Sequence, residues 1–162
     1  MASQARPQSM IFNEEIAVDF CHLESNSGEH GVLGIIDRTS RFTRWIPASS
    51  KMSTNDYVQL ILANWVSLFG FPSRIRSDNG KPFVSEEWQT FWSESGVTYS
   101  TAIRKNSQGN GIIERSFRSL QLRLRSLLKD SPGATWKQLL PFVELSSNSM
   151  PRIPWADCLQ RK

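Results

Sequence analysis

The chain has 162 residues, of which 39% are hydrophobic and 10% aromatic; that is enough for one domain with a real core and too apolar for global disorder. No apolar run approaches the roughly 20 residues that span a bilayer, and the opening "MASQARPQSMIF" lacks the continuous apolar stretch of a signal peptide, so an intracellular soluble chain with no membrane attachment is expected. The net charge of +4 is unevenly spread: residues 101–162 hold 11 Lys and Arg against 4 Asp and Glu, which leaves 8 against 11 before them, and makes the later part the candidate polyanion face.

Residues 1–12, polar around Pro7, read as a loose arm. "EIAVDFCHL", "GVLGIID" and "RFTRWIP", separated by turn-rich "SNSGEHG" and "DRTS", read as three strands of an antiparallel meander. The hydrophobic period then changes. Over residues 53–69, Val58, Ile61, Leu62, Trp65, Leu68 and Phe69 form one helical stripe, opened by Ser53 with Asp56 three residues on and closed by Gly70 and Pro72. "SRIRSD" reads as a short strand, "SEEWQTFWSES" as a helix capped by Ser85 and ended by Gly96, and "VTYSTAI" as another strand. After the Gly-bearing loop "KNSQGNG", residues 112–129 place Ile113, Phe117, Leu120, Leu124, Leu127 and Leu128 at intervals of three and four, a long amphipathic helix. "TWKQLLPFVELSSN" predicts a final helix with Thr135 as N-cap, which Pro141 should kink or end. Three antiparallel strands followed by alternating helices and strands predict an α/β domain, a mixed sheet with helices packed on it. Trp45, Trp65, Trp88, Trp92 and Trp136 are expected in packing, not as base-stacking platforms. With only Cys21, Cys158, His22 and His30 and no CxxC pair, neither a zinc knuckle nor a disulfide framework is expected, and the two cysteines read as free thiols.

Three acidic residues stand out, each with an ordinary reading beside it. Asp19 lies inside a strand, where a carboxylate is costly to desolvate unless it meets a compensating charge, a backbone donor or an open edge. Asp78, before Asn79 and Gly80, is also plain turn chemistry. Glu114, with Arg118 four residues later, is also a solvated helix pair worth a few tenths of a kcal/mol.

Taken together, the order Asp19, Asp78, Glu114, with 35 residues between the last two, resembles the catalytic core of retroviral and retrotransposon integrases. The surrounding words agree: "VDF", "IIDRTSRF", "FGFPSRIRSDNGKPFVSEEWQTF", "SQGNGIIERSFRSL" and "WKQLLPFVELSSNS" look like the gypsy-type branch, over residues 14 to 148. The resemblance implies a ribonuclease H-like fold, with a five-stranded mixed sheet (three antiparallel strands plus two parallel) flanked by helices. It divides the chain into an arm (1–12), a catalytic core (13–150) and a truncated or atypical tail (151–162). It also implies two Mg²⁺ or Mn²⁺ ions held by Asp19, Asp78 and Glu114, with Asp19 bridging both, Asp78 completing the first site and Glu114 the second. Clustered carboxylates that would otherwise repel, and oxygen donors that suit hard cations, are the physical sense of such a site. The activity implied is DNA 3′-end processing and strand transfer on element ends and target DNA, by a homodimer or higher oligomer, in the nucleus. Lys105, Gln108, Asn110, Arg118, Gln121 and Arg125 are the candidate DNA contacts, the last three because they share Glu114's helical face at 4, 7 and 11 residues. Asn106 and Ser107 stand where the family often has His-Pro, and Phe117 where it often has Asn; the family's zinc domain and small β-barrel are not seen. The other classes to separate are a catalytically silent, domesticated DNA-binding or dimerisation module and a ribonuclease H-type nuclease.

Overall fold

The computed structural model of the chain describes residues 11–23, 30–101 and 111–149. Lys105, Gln108 and Asn110, the Gly-bearing loop before residue 111, the arm to residue 10 and the tail from residue 150 lie outside the described residues.

Five strands form one sheet: β1 (Glu15–His22), β2 (His30–Asp37), β3 (Thr43–Ser49), β4 (Arg74–Ser77) and β5 (Thr98–Thr101). Their order is β3-β2-β1-β4-β5, antiparallel from β1 to β3 and parallel from β1 through β4 to β5. The period of two sorts β1 between two cores. Ile16 and Val18 belong to the core that also holds Tyr57, Trp65, Trp88 and Trp92. Ala17 belongs to the core on the other face, with Trp45, Ile113, Phe117, Leu120 and Leu140. Trp65, Trp88 and Trp92 are fully buried and Trp45 nearly so, while Trp136 packs half-buried against the second core. Packing is the role the sequence suggested for these indoles.

Helix α1 (Thr54–Ile61) opens with the expected capping box: the Ser53 hydroxyl accepts from the Asp56 N–H, and the Asp56 carboxylate accepts from the Ser53 N–H, an arrangement worth about 1 kcal/mol. The stripe read as one regular helix over 53–69 then widens into a π-helical turn, Leu62–Val66, before a last short piece, α2 (Ser67–Phe69). Gly70, at φ 80°, ends it. Helix α3 (Glu86–Glu94) is capped by Ser85, whose hydroxyl accepts from the Trp88 N–H. Helices α4 (Gly111–Asp130) and α5 (Trp136–Ser149) cover the opposite face. Thr135 caps α5 with Gln138 as reciprocal partner. Pro141 neither ends nor interrupts α5. It lies on the exposed side, where water can satisfy the carbonyl one turn earlier that proline leaves without a donor.

Strand β3 is an edge, and α5 closes it. The Asn148 side chain accepts from the Thr43 N–H at 2.9 Å and donates to the Thr43 carbonyl at 2.8 Å. Glu144 accepts from the Trp45 N–H and pairs with Arg44, both at 2.8 Å. The next outward position is Pro47, which has no N–H, so little of this edge is left to template another strand. Among the described residues no helix is long and apolar enough to cross a membrane.

Candidate active site

Asp19 shares Ala17's face of β1 and therefore looks toward α4. In the parallel register Val18 pairs with Ser77; one residue further, β1 carries Asp19 and the chain leaving β4 carries Asp78. The two carboxyl groups lie within hydrogen-bonding reach of each other. This is the carboxyl end of the parallel strands, where open α/β sheets place their sites.

Local backbone donors fix both acids. The Phe20 N–H donates to Asp19 Oδ1 at 2.8 Å, and the Gly80 N–H to Asp78 Oδ1 at 2.9 Å. Glycine at position 80 is a matter of space: a Cβ there would stand 2.9 Å from Asp78 Oδ1, inside contact distance. The Asp-Asn-Gly turn thus aims the carboxylate at its neighbour as well as reversing the chain.

Glu114 arrives on α4 because of a notch in the sheet. Asp19, Gly34 and Trp45 form one cross-strand row, and Phe117 of α4 rests on Gly34 against Trp45, with ring centroids 5.3 Å apart. One turn earlier on the same helix stands Glu114, exposed, its charge felt at Asp19. One turn later, the Gln121 amide donates to Cys21 Sγ at 3.3 Å. So the half-exposed Gln121 side chain reaches the sheet through this bond. Burial raises the Cys21 thiol's pKa; the Gln121 bond opposes that and the nearby Asp19 adds to it.

The electrostatics follow from this crowding. Asp19's pKa is raised to about 7, first by burial, then by the Asp78 charge; the Phe20 N–H works in the opposite direction, while a hydrogen bond with Asp78 and the Glu114 charge raise it further. A half-buried carboxyl beside two other acids resists ionisation unless a cation joins it. The donor set, all carboxylate oxygen, suits a hard divalent ion at the Asp19–Asp78 pair. Among the described residues no three His, Cys, Asp or Glu side chains come together closely enough to form a ready-made metal cage. Glu114 stands at the flank of the pair.

Outside the pocket, α4 shows a stripe the sequence reading only partly named. Arg115, Arg118, Arg125 and Lys129 are exposed, with Leu122 between them, at spacings of 3, 4, 3 and 4 that keep them on one face. The stripe runs about 21 Å along the axis. Arg118 and Arg125 were expected there. Arg115 and Lys129 were not singled out, although heptad-like spacing of cations away from the apolar stripe was visible. Arg123 instead bonds the Ser146 and Ser147 hydroxyls and ties α4 to α5.

A mixed sheet in this order, with acids at adjacent parallel strand ends and a helix bringing a third acid beside them, defines a ribonuclease H-like fold of the kind found in integrase catalytic cores. The Integrase core domain description matches residues 12–107, more than half of the chain, and the chain belongs to that family. It is 28% identical over 136 residues to the Gag-Pol polyprotein of gibbon ape leukemia virus, covering 83% of this chain and 8% of that polyprotein. It resembles the HTLV-2 integrase catalytic core domain in complex with magnesium, in its dimeric form, with a TM-score of 0.72 and 21% identity over 87% of this chain and 90% of that one. A chain of the simian T-cell lymphotropic virus intasome, solved with PP2A regulatory subunit B56 gamma, gives a TM-score of 0.76 at 18% identity, over 91% and 58%. At these identities the structural likenesses speak for the fold.

Proposed function

We propose that this domain performs metal-dependent polynucleotidyl transfer on DNA, processing 3′ ends and joining them to a target strand. The carrying observation is the half-buried Asp19–Asp78 carboxyl pair, in which burial and the Asp78 charge together raise Asp19's pKa to about 7, with Glu114 one helical turn from the notch that seats α4. Asp19 and Asp78 would hold a divalent cation, and Glu114 would complete a second site. Bound there, such cations supply the charge that stabilises attacking and leaving oxygens in an in-line displacement at phosphorus. The chain's own part is orientation. The Phe20 and Gly80 N–H groups fix the carboxylates, and the exposed arginines of α4 lie where a phosphate backbone could approach the pocket. In the reaction an oxygen of water, or of a 3′ hydroxyl, forms a bond to phosphorus, the bond to the leaving 3′ oxygen breaks, and the proton lost by the nucleophile balances the one gained by the leaving group.

The test is a titration with two readouts. Millimolar Mn²⁺ should raise the thermal midpoint by mass action, about 2.7 kcal/mol of stabilisation at a hundred times the dissociation constant, and should switch on resolution of a branched DNA intermediate. The exposed position of Glu114 favours a second reading, a domain that binds DNA or dimerises without chemistry. An unchanged midpoint together with inert branched DNA would select it.

The same reading includes a homodimer. Leu68 after the π turn and Phe142 and Leu145 on α5 are 59%, 63% and 65% exposed, large apolar side chains that a partner helix pair could take out of water. Pairing through α1–α2 and α5 would cover them. Light scattering should report twice the chain mass in dilute solution, and Phe142→Asp should halve it; a monomer at high concentration would remove this part.

A further inference from the structure

We infer that the uncovered face of β4 and β5 is a platform for the backbone of a DNA strand, whose phosphates would sit on Arg76 with Ser100 and on Arg74 with Thr98; this rests on the DNA reading above and adds a contact surface to it.

The platform follows from strand register. Parallel strands are ordinarily covered on both faces. Here one face of β4 and β5 meets the core of Ile75, Trp88 and Trp92, while the core under α4 and α5 includes, among the described residues, none from either strand. On that second face the period of two lines up Arg74 and Arg76, and the pairing sets Thr98 beside Arg74 and Ser100 beside Arg76. Thr98 and Ser100 are exposed. None of the four is apolar, so this face gives a covering helix nothing to bury, and each row presents a guanidinium next to a hydroxyl. Continuing the alternation one step past Arg76 gives Asp78, so the platform leads directly away from the acid pair. Residues on one face of a strand stand about 6.7 Å apart, close to the spacing of successive phosphates along a DNA strand.

The two guanidinium groups are held in place but not used up. Glu15 Oε1 accepts from Arg38 Nη1 at 2.6 Å and from Arg76 Nε at 2.9 Å, and Glu15 Oε2 stands 3.6 Å from Arg74 Nε. Arg74 Nη2 donates to Glu14 at 3.1 Å. Arg76 Nη1 and Nη2 and Arg74 Nη1 bond nothing among the described residues, and these side chains are 24% and 43% exposed. Three guanidinium groups thus meet two carboxylates, which leaves one positive charge in excess. The buried Glu15 needs one cationic partner, and Arg38 already supplies it; ion pairing alone does not call for Arg76. What the shared carboxylate does is fix the Arg76 fork before any ligand arrives, so that little side-chain freedom is lost when phosphate oxygens meet its remaining N–H groups.

Fluorescence anisotropy with a labelled DNA duplex, in chelator and across a salt series, tests this in the whole chain. Arg76→Gln should lower affinity about 10-fold at low salt and make the salt slope shallower by about 0.9, and Arg76→Lys should restore the slope. Ser100→Arg, on the exposed row of β5 and outside the Glu15 network, tests the same place without touching an ion pair. It should tighten binding and steepen the slope by about 0.9, whereas Ser93→Arg, exposed on α3 at the other face of the sheet, should leave the slope unchanged. A purely structural Arg76 would lower the thermal midpoint of Arg76→Gln and leave its slope and that of Ser100→Arg at the wild-type value, which overturns the platform. Equal steepening by Ser93→Arg and Ser100→Arg overturns it too, as does a wild-type chain that binds no duplex. Unchanged slopes in a chain that resolves branched DNA in Mn²⁺ would leave the enzyme reading intact. Slopes altered as expected, with branched DNA inert in Mn²⁺, would keep the platform and remove the enzyme reading.

Discussion

Asp78→Asn should abolish Mn²⁺-dependent resolution of branched DNA, a loss on the order of 10³-fold or about 4 kcal/mol of barrier, while making the metal-free protein more stable. Both halves come from one arrangement. The asparagine Oδ1 can still accept the Gly80 N–H that Asp78 accepts at 2.9 Å, so the turn survives, and its amide can donate toward Asp19. What disappears is the negative charge that, after burial, does most to raise Asp19's pKa to about 7. In the wild-type chain the native state keeps a proton on Asp19 up to about pH 7, whereas the unfolded chain releases it near 3.9. Between those values the native state binds more protons, so stability falls as pH rises, by up to roughly 4 kcal/mol across the window. Glu15 works in the opposite sense: burial tends to raise its pKa, but the hydrogen bond and charge of Arg38, with Arg76 and Arg74, hold it below its ordinary value, so its contribution is lost only as pH falls. Calorimetry in chelator from pH 5 to pH 8 should therefore show a falling midpoint for wild type and a flatter, higher one for Asp78→Asn, by several degrees at pH 7.5. Activity surviving in the variant, or a wild-type midpoint that climbs with pH, would remove the acid pair from the mechanism.

The sequence made the elements that carry these acids legible because each obeys a local rule. The Ser53–Asp56 box and the Thr135–Gln138 box are complete within four residues, and α4's apolar period is unbroken over five turns. The misses are tertiary. Strand β3 begins at Thr43, two residues later than its alternation suggests, because the turn needs Arg41 to close it. The π turn at Leu62–Val66 carries no signature of its own; its Trp65 indole donates to Asn13 Oδ1 at 2.8 Å, a partner 52 positions away. The Gln121–Cys21 bond was not legible either: helical spacing groups Gln121 with Arg118 and Arg125, and only the fold shows that Cys21 lies beneath that position. The approach of α4 to Asp19 was equally invisible, since it depends on a missing side chain in a different strand.

That missing side chain sets the last expectation: Gly34→Val should reduce Mn²⁺-dependent activity about 100-fold, well beyond its effect on stability. A Cβ at position 34 would meet the Trp45 ring at 2.7 Å and the Phe117 ring at 2.9 Å. Neither ring has room to yield, since Trp45 is 4% exposed and Phe117 6%. Overpacking of this kind costs about 1–3 kcal/mol, and the cheapest relief is to lift α4 from the sheet at Phe117. Glu114, three residues away on the same rigid helix, must move with it. Displacing a catalytic group by about 1 Å from its working position costs on the order of 10²-fold, so turnover falls while the domain still folds. Shrinking the opposing ring gives the control: Phe117→Leu added to Gly34→Ala should recover part of the activity without restoring full stability, because it returns α4 to its seat while leaving the core underfilled. Full activity in Gly34→Val would mean that this notch does not determine where Glu114 stands.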